Sequence, residues 1–329
     1  MRPVLASLLA LPFLFACSSP QSTFDTAGTE AQAVHILFWA MTIGGALIWV
    51  FVIGFSIFVT KIRPNAYSDK AGLRLIVWGG CVFPVVVLGV LVWFGTAMMP
   101  ELRAEADGPR IAVSGERFWW RINYDTTSTP GVAKGLTRDG VESANELFLP
   151  VGKRTEILLG SPDVIHSFWV PAIAGKTDTI PGRVNRLVLH PTKEGTYNGI
   201  CAEFCGEAHA EMGFRVIVLP EAEYAAKVAA EAAPAAVTAH PGFEAFMANG
   251  CAACHSVRGT EARGEVGPDL THLASRRTLA AGILPVNHET IARFVRNPGE
   301  VKQGAEMPAF DHLPQEDIAR IAEWLGMLQ

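Results

Sequence analysis

Cys201-Ala-Glu-Phe-Cys205-Gly-Glu-Ala-His209-Ala-Glu-Met212 is the stretch on which the reading of this chain turns. With a histidine well upstream, in Val164-Ile-His166-Ser-Phe-Trp169, it offers two thiolates, two imidazoles and a thioether. Such soft or borderline donors suit copper and do not suit magnesium or calcium. A mononuclear blue-copper centre takes one Cys, two His and a weak axial Met, so this set holds one thiolate too many. Structural zinc sites usually space their cysteines as CxxC. A zinc-stabilised loop or a disulfide between Cys201 and Cys205 is the competing reading, and neither accounts for the two His and the Met.

Outward from this stretch, between Arg110 and Pro220, lie six runs of strand character: Ile111 to Ser114, Trp119 to Tyr124, Leu147 to Pro150, Thr155 to Leu159, Asn185 to Leu189 and Phe214 to Leu219. They alternate or are β-branched and are broken by Gly, Pro and Asp, which predicts an all-β sandwich without long helices. The ligand stretch falls between the last two runs and His166 just after an earlier one. One end of a rigid sandwich can therefore hold both.

Upstream, Val34 to Thr60 and Leu75 to Met99 carry no Asp, Glu, Lys or Arg, and His35, at the start of the first, reads as an interfacial residue and not a ligand. Each exceeds the roughly 20 residues a helix needs to cross a bilayer, so residues 34–99 read as a two-helix transmembrane hairpin. The connector holds Lys61, Arg63, Lys70 and Arg74 against Asp69. By the positive-inside rule it is cytoplasmic, which places both termini and everything from about residue 100 on the outer, periplasmic side of a bacterial inner membrane. Residues 1–17 read as an export signal ending in the lipobox-like Leu14-Phe-Ala-Cys17. Cys17 is then a lipidation candidate, against a plain signal peptide cut nearby.

Downstream, residues 222–239 are dominated by alanine and read as a linker. If flexible it reaches roughly 25 Å; alanine also favours helix, so part of it can be stiff. Residues 240–329 carry Cys251-Ala-Ala-Cys254-His255, the CxxCH signature of covalent haem c attachment, with His255 as the proximal iron ligand. Met307, in Glu306-Met307-Pro308, resembles the Met-Pro ligand of class I cytochromes c, and Met/His ligation raises the haem potential. His272, His288, His312, Met247 and Met327 are its competitors. Leu313 to Leu328 is an amphipathic helix expected to pack on the helix bearing Phe243 and Phe246. With Cys81 inside a span, none of the six cysteines is left over for a disulfide.

The ligand set, together with Lys176-Thr-Asp-Thr-Ile-Pro-Gly182-Arg183 and Ala144-Asn-Glu146, resembles subunit II of cytochrome c oxidase. The appended CxxCH region is similar to the caa3-type branch of that family. The resemblance implies a cupredoxin copper A domain over 100–221 and an all-α class I cytochrome c domain over 240–329. In the implied dinuclear site Cys201 and Cys205 bridge two coppers, His166 and His209 bind one each, Met212 binds one weakly and the Glu203 carbonyl binds the other. The Glu203 carboxylate is a candidate ligand for a magnesium shared with subunit I, or simply a solvated acid. Gly115-Glu-Arg-Phe118-Trp119-Trp120 matches the aromatic stretch through which a cytochrome c delivers electrons, with Phe118 where the family has its usual tryptophan. Phe118, Trp119 and Trp120 are thus electron-relay candidates, weighed against plain packing. Leu75 stands where many members carry a glutamate at the mouth of a proton channel, so no residue is assigned to proton uptake.

The implied function is electron transfer from a respiratory donor, such as a bc1 complex or cytochrome c, through haem c and copper A. The acceptor is haem a and copper B of subunit I, where oxygen is reduced to water with proton translocation; subunit III is a further expected partner. Subunit II of a copper A-containing nitric oxide reductase and a membrane-bound copper and haem redox sensor are the alternatives. No Walker A or HExxH motif is present, and the few basic clusters do not suggest nucleic acid. Membrane-embedded histidines for haem a and copper B are also missing, so the chain should not reduce oxygen alone. Residues 100–221 hold 16 acidic and 13 basic side chains, and residues 240–329 hold 11 and 8. Neither region has the gross charge that steers a diffusing partner, whereas covalent linkage supplies an effective concentration of about a millimolar.

Overall fold

The computed structural model describes residues 19–64, 68–102, 105–124 and 140–329. The signal expected over 1–17, with Cys17, lies outside the described residues. The chain divides into two units, residues 33–105 and the remainder.

In the first unit, α1 (Thr29–Ile57) continues through a π-helical turn to Ile62. After the connector, α2 (Asp69–Leu75) is capped by Ser68, whose hydroxyl accepts from the Ala71 amide. It passes through a π-helical stretch, Ile76–Val82, into α3 (Phe83–Leu102). The continuous helices Thr29–Ile62 and Asp69–Met99 are long and apolar enough to cross a membrane. Trp49, Phe51, Leu88 and Trp93 are exposed on them, as suits side chains meeting lipid instead of water. The chain is a two-span membrane protein.

Among the described residues the second unit holds ten strands: β1 (Arg110–Glu116), β2 (Trp119–Tyr124), β3 (Val141–Ala144), β4 (Glu146–Pro150), β5 (Thr155–Gly160), β6 (His166–Trp169), β7 (Thr177–Thr179), β8 (Asn185–Leu189), β9 (Gly195–Cys201) and β10 (Gly213–Leu219). They form two five-stranded sheets, ordered β3-β2-β1-β5-β8 and β4-β10-β9-β6-β7. All six expected runs are strands; β3, β6, β7 and β9 are additional. Those four are short or interrupted by Gly and polar residues, and pairing with neighbours makes them strands where their own composition does not. His166, expected just after a strand, is instead the first residue of β6, paired with Thr179 of β7.

The core fills the space between the sheets. Register sets Ile111 opposite Tyr124 and Val113 opposite Ile122, and all four are buried. The Tyr124 hydroxyl crosses to the other sheet, donating to the Glu146 carbonyl (3.1 Å) and accepting from the Phe148 amide (2.9 Å). Burial pushes its phenol well above the ordinary range, so it stays a donor. The segment before α1 is strapped on: the Ala27 amide donates to Ala172 and the Ala27 carbonyl accepts from Thr192.

The alanine-rich stretch is no free tether along its first half. It forms α4 (Glu221–Ala232), which packs on β3 and β4 with Val228 buried. Ala235 then enters the core of the last domain, its amide bonded to the Arg258 carbonyl (2.9 Å). That domain is α-helical: α5 (Pro241–Ala248), α6 (His288–Arg296), α7 (Pro298–Val301) and α8 (Gln315–Leu325). As expected, α8 packs on α5, with the buried Trp324 ring against Phe243 and Phe246 (centroids 5.2 Å from each). The architecture is thus a multidomain membrane protein with two transmembrane-length helices, a cupredoxin-like β-sandwich and an α-helical C-terminal region.

Candidate copper and haem sites

β9 ends on Cys201 and β10 begins one residue after Met212, so the ligand stretch is the loop joining two paired strands. β6 runs antiparallel to β9 and brings His166 alongside. Cys201 Sγ and Cys205 Sγ are 3.8 Å apart. The imidazoles divide between them: His166 Nδ1 lies 3.9 Å from Cys201 Sγ, and His209 Nδ1 lies 3.6 Å from Cys205 Sγ. Met212 Sδ is 3.8 Å from Cys205 Sγ, and the Glu203 carbonyl is 3.2 Å from Cys201 Sγ. His166, both cysteines and Met212 are buried, while Glu203 is exposed. The Glu203 side chain thus points away from the donors that its carbonyl joins. His166, Cys201 and Cys205 form a cluster able to hold a metal ion, all ligand atoms lying within 4.8 Å of one another.

Burial opposes ionisation of both thiols, but hydrogen bonds from His166 and the backbone around Cys201 bring that thiol down to about 7. Burial and the neighbouring Cys201 push Cys205 up to about 12. Two thiols this close resist joint ionisation, and a bound cation relieves that cost. Gly206, at φ +131°, turns the chain between Cys205 and Glu207, and a Cβ there would meet the Phe118 ring at 3.0 Å.

The second ring nitrogen of His166 donates to Asp163 Oδ1 (2.8 Å). Burial would raise the Asp163 carboxyl, yet bonds from His166, the Val164 amide and the Arg117 amide bring it down to about 2. A carboxylate behind a histidine fixes its tautomer and aims the other nitrogen at the metal. Sequence reading missed Asp163; its place three residues before a candidate ligand was the available signal.

Trp120 is fully buried behind the cluster, its indole N–H donating to the Met212 carbonyl (3.3 Å) and its ring packed on His166, Phe168 and Phe214. Phe118 and Trp119 instead line a cavity of about 270 Å³ shared with the C-terminal domain. Its walls include Cys251, Cys254, His255, Pro268 and Met307; His272, His288, His312, Met247 and Met327 are not among them. His255 Nδ1 donates to the Pro268 carbonyl (2.8 Å), and burial lowers its pKa, so the imidazole is neutral with Nε2 free to bind iron. A Cβ at Gly267 would strike the His255 ring at 2.6 Å. His272 is committed elsewhere, to the Ala233 carbonyl. The CxxCH thiols, one neutral imidazole and an apolar cavity fit a covalently held haem.

Polar contacts join the sandwich to the C-terminal domain. Arg121 pairs with Glu116 (2.7 Å) and Glu142 and donates to the Glu265 carbonyl (2.9 Å). Glu146 accepts from the Arg277 amide, and Arg258 donates to the Glu142 carbonyl.

A soft-ligand cluster at the end of a sandwich, beside a CxxCH cavity and on a two-span membrane chain, defines a membrane-bound electron-transfer protein with copper-binding and haem-binding sites. The cytochrome c oxidase subunit II periplasmic-domain family matches residues 112–219, and the cytochrome c family matches residues 239–329. Cytochrome c oxidase subunit 2 of Alkalihalophilus pseudofirmus is 31% identical over 338 residues, covering 96% of this chain and 94% of that protein. The counterpart from Bacillus sp. strain PS3 is 29% identical, covering 77% and 74%. The crystal structure of the periplasmic domain of subunit II from Bradyrhizobium japonicum, 29% identical, covers 39% of this chain and 95% of that one, with a TM-score of 0.32. The chain belongs to the cytochrome c oxidase subunit 2 family. It is an electron-transfer subunit of that oxidoreductase complex.

Proposed function

We propose that the chain passes electrons from haem c, attached at Cys251 and Cys254, to a dinuclear copper A centre and then to subunit I. His255 and Met307 would hold the iron; His166, Cys201, the Glu203 carbonyl, Cys205, His209 and Met212 would hold the coppers. Both groups supply one-electron chemistry at nearly constant geometry, and the chain's own residues supply the rigidity. One observation carries the dinuclear reading: two thiols 3.8 Å apart, each facing its own imidazole. A single tetrahedral ion would leave the remaining donors without a role. Phe118 and Trp119, on the cavity wall, suit an electron relay, whereas Trp120 suits packing behind the ligands. The exposed Glu203 carboxylate is free to reach a magnesium at the boundary with subunit I.

The remaining assignments belong to the same proposal. Positive-inside charge supports an outer location for both sites, with the domain limits and lipidation of Cys17 as read from the sequence. Haem a and copper B of subunit I then reduce oxygen, subunit III completes the complex, and a bc1 complex or cytochrome c is the donor. The test is metal analysis and a reduced-minus-oxidised spectrum of the complex isolated by a tag on this chain. Two coppers and one haem c per chain beside an a-type haem are expected. A b-type haem without haem a would transfer the reading to nitric oxide reductase, and a single copper would overturn the dinuclear site.

A further inference from the structure

Lys302, directly after α7, is only 4% exposed, yet among the described residues it forms no ion pair. Its ammonium has three donors and meets three carbonyls: Phe118 (2.6 Å), Glu211 (2.9 Å) and Ala280 (3.2 Å). Phe118 lies in the turn between β1 and β2, and Glu211 lies between the ligands His209 and Met212. Ala280 belongs to the C-terminal domain. One side chain of the haem-motif domain thus ties together the aromatic turn and the copper-ligand loop.

Neighbouring contacts follow the same line. At Gly304 a Cβ would meet Glu207 at 2.9 Å and the Phe118 ring at 3.3 Å, so this backbone runs directly against the ligand loop. Lys302, Ala305, Glu306 and Met307 all line the haem cavity, as does Phe118. The loop from 302 to 307 therefore touches the copper loop at one end and presents Met307 at the other. A buried cation is seldom the most stable choice for a position; replacement by a well-packed apolar side chain is often neutral or better. What it offers is directional hydrogen bonding that sets one arrangement.

We propose that Lys302 is a positioning residue that latches the 302–307 loop onto the copper-ligand loop, fixing the separation between the haem pocket and the copper cluster. This rests on the electron path proposed above. A latched pair transfers electrons without a docking motion, so the rate should not depend on solvent viscosity.

The test uses the complete oxidase complex, wild type and Lys302→Met, with spectra showing that haem c and copper are retained. Two quantities are read: amide hydrogen exchange over residues 116–119 and 209–213, and the rate of haem-to-copper transfer after flash photoreduction. Loss of charged hydrogen bonds should speed exchange there by about tenfold or more, with α8 unchanged. The transfer rate should fall and become viscosity-dependent. Unchanged transfer in the variant, or viscosity-dependent transfer in the wild type, overturns the latch. If Lys302→Met does not assemble, Lys302→Arg, which keeps the charge but not the single ammonium shared by three carbonyls, is read in the same way, and viscosity-dependent transfer in the wild type overturns the latch by itself. Failure of the underlying electron path looks different: no copper reduction follows the flash at all, while the exchange comparison still reports on Lys302.

Discussion

The proposed copper cluster would take four of its five donor side chains from twelve consecutive residues, 201–212, and the fifth from β6, all within one sandwich. The haem cavity draws its walls from residues as far apart as Arg117 and Leu325, across both the sandwich and the helical domain. One site is held by strand pairing and a buried aromatic layer, the other partly by how two domains meet. The expected consequence is asymmetric dependence. The copper site should survive loss of the haem, whereas the haem environment should register changes in the copper loop.

The strongest way to break this comparison is Cys205→Ser. It removes the donor that faces Cys201, His209 and Met212 together, and oxidase turnover should fall by more than the roughly 100-fold upper range known for losing a supporting residue. Copper analysis should show loss of metal with haem c still attached. Next comes the paired change Cys251→Ala with Cys254→Ala, which should abolish haem staining on a denaturing gel. Copper content should stay unchanged; loss of copper here would show that the sites assemble together.

A smaller effect is expected from Asp163→Asn, which keeps the shape behind His166 but removes the charge. Copper affinity should drop about 10- to 100-fold, read by competition with a chelator, while haem c binding is untouched. The smallest concerns the domain boundary. Burial raises the Glu146 carboxyl above 4.5, although the Arg277 amide and the neighbouring arginines pull the other way. The folded chain therefore binds this proton more tightly than the unfolded chain does. Its contribution to stability is complete below pH 4.5 and is lost as pH rises through the raised value. Glu146→Gln should flatten the wild-type melting profile over that window, with the amide oxygen still available to the Arg277 amide. An unchanged profile would mean that the boundary is too open to shift this group.

Much of this was legible before any fold was known. Strands such as Thr155–Gly160 announce themselves through β-branched and apolar alternation, and the two spans through uninterrupted apolar length. β7, three residues in Lys176-Thr-Asp-Thr-Ile, has no such pattern; it is a strand because β6 lies beside it. The alanine-rich segment was ambiguous for a related reason. Composition cannot say whether alanines extend into solvent or coil into a helix, and the decision here came from packing on β3 and β4.

The sequence by itself determined the candidate donor atoms, the CxxCH motif and the two membrane-length runs, because ligand softness, thioether chemistry and apolar length are properties of residue type and local spacing. Only the tertiary structure decided that Asp163 stands behind His166, that Trp120 packs while Phe118 and Trp119 line the cavity, and that Met307 shares that cavity with Cys251, Cys254 and His255. It also decided that Lys302 reaches carbonyls 184 and 91 positions away. Such contacts follow from which surfaces are buried against each other when the chain closes, and no local pattern encodes them.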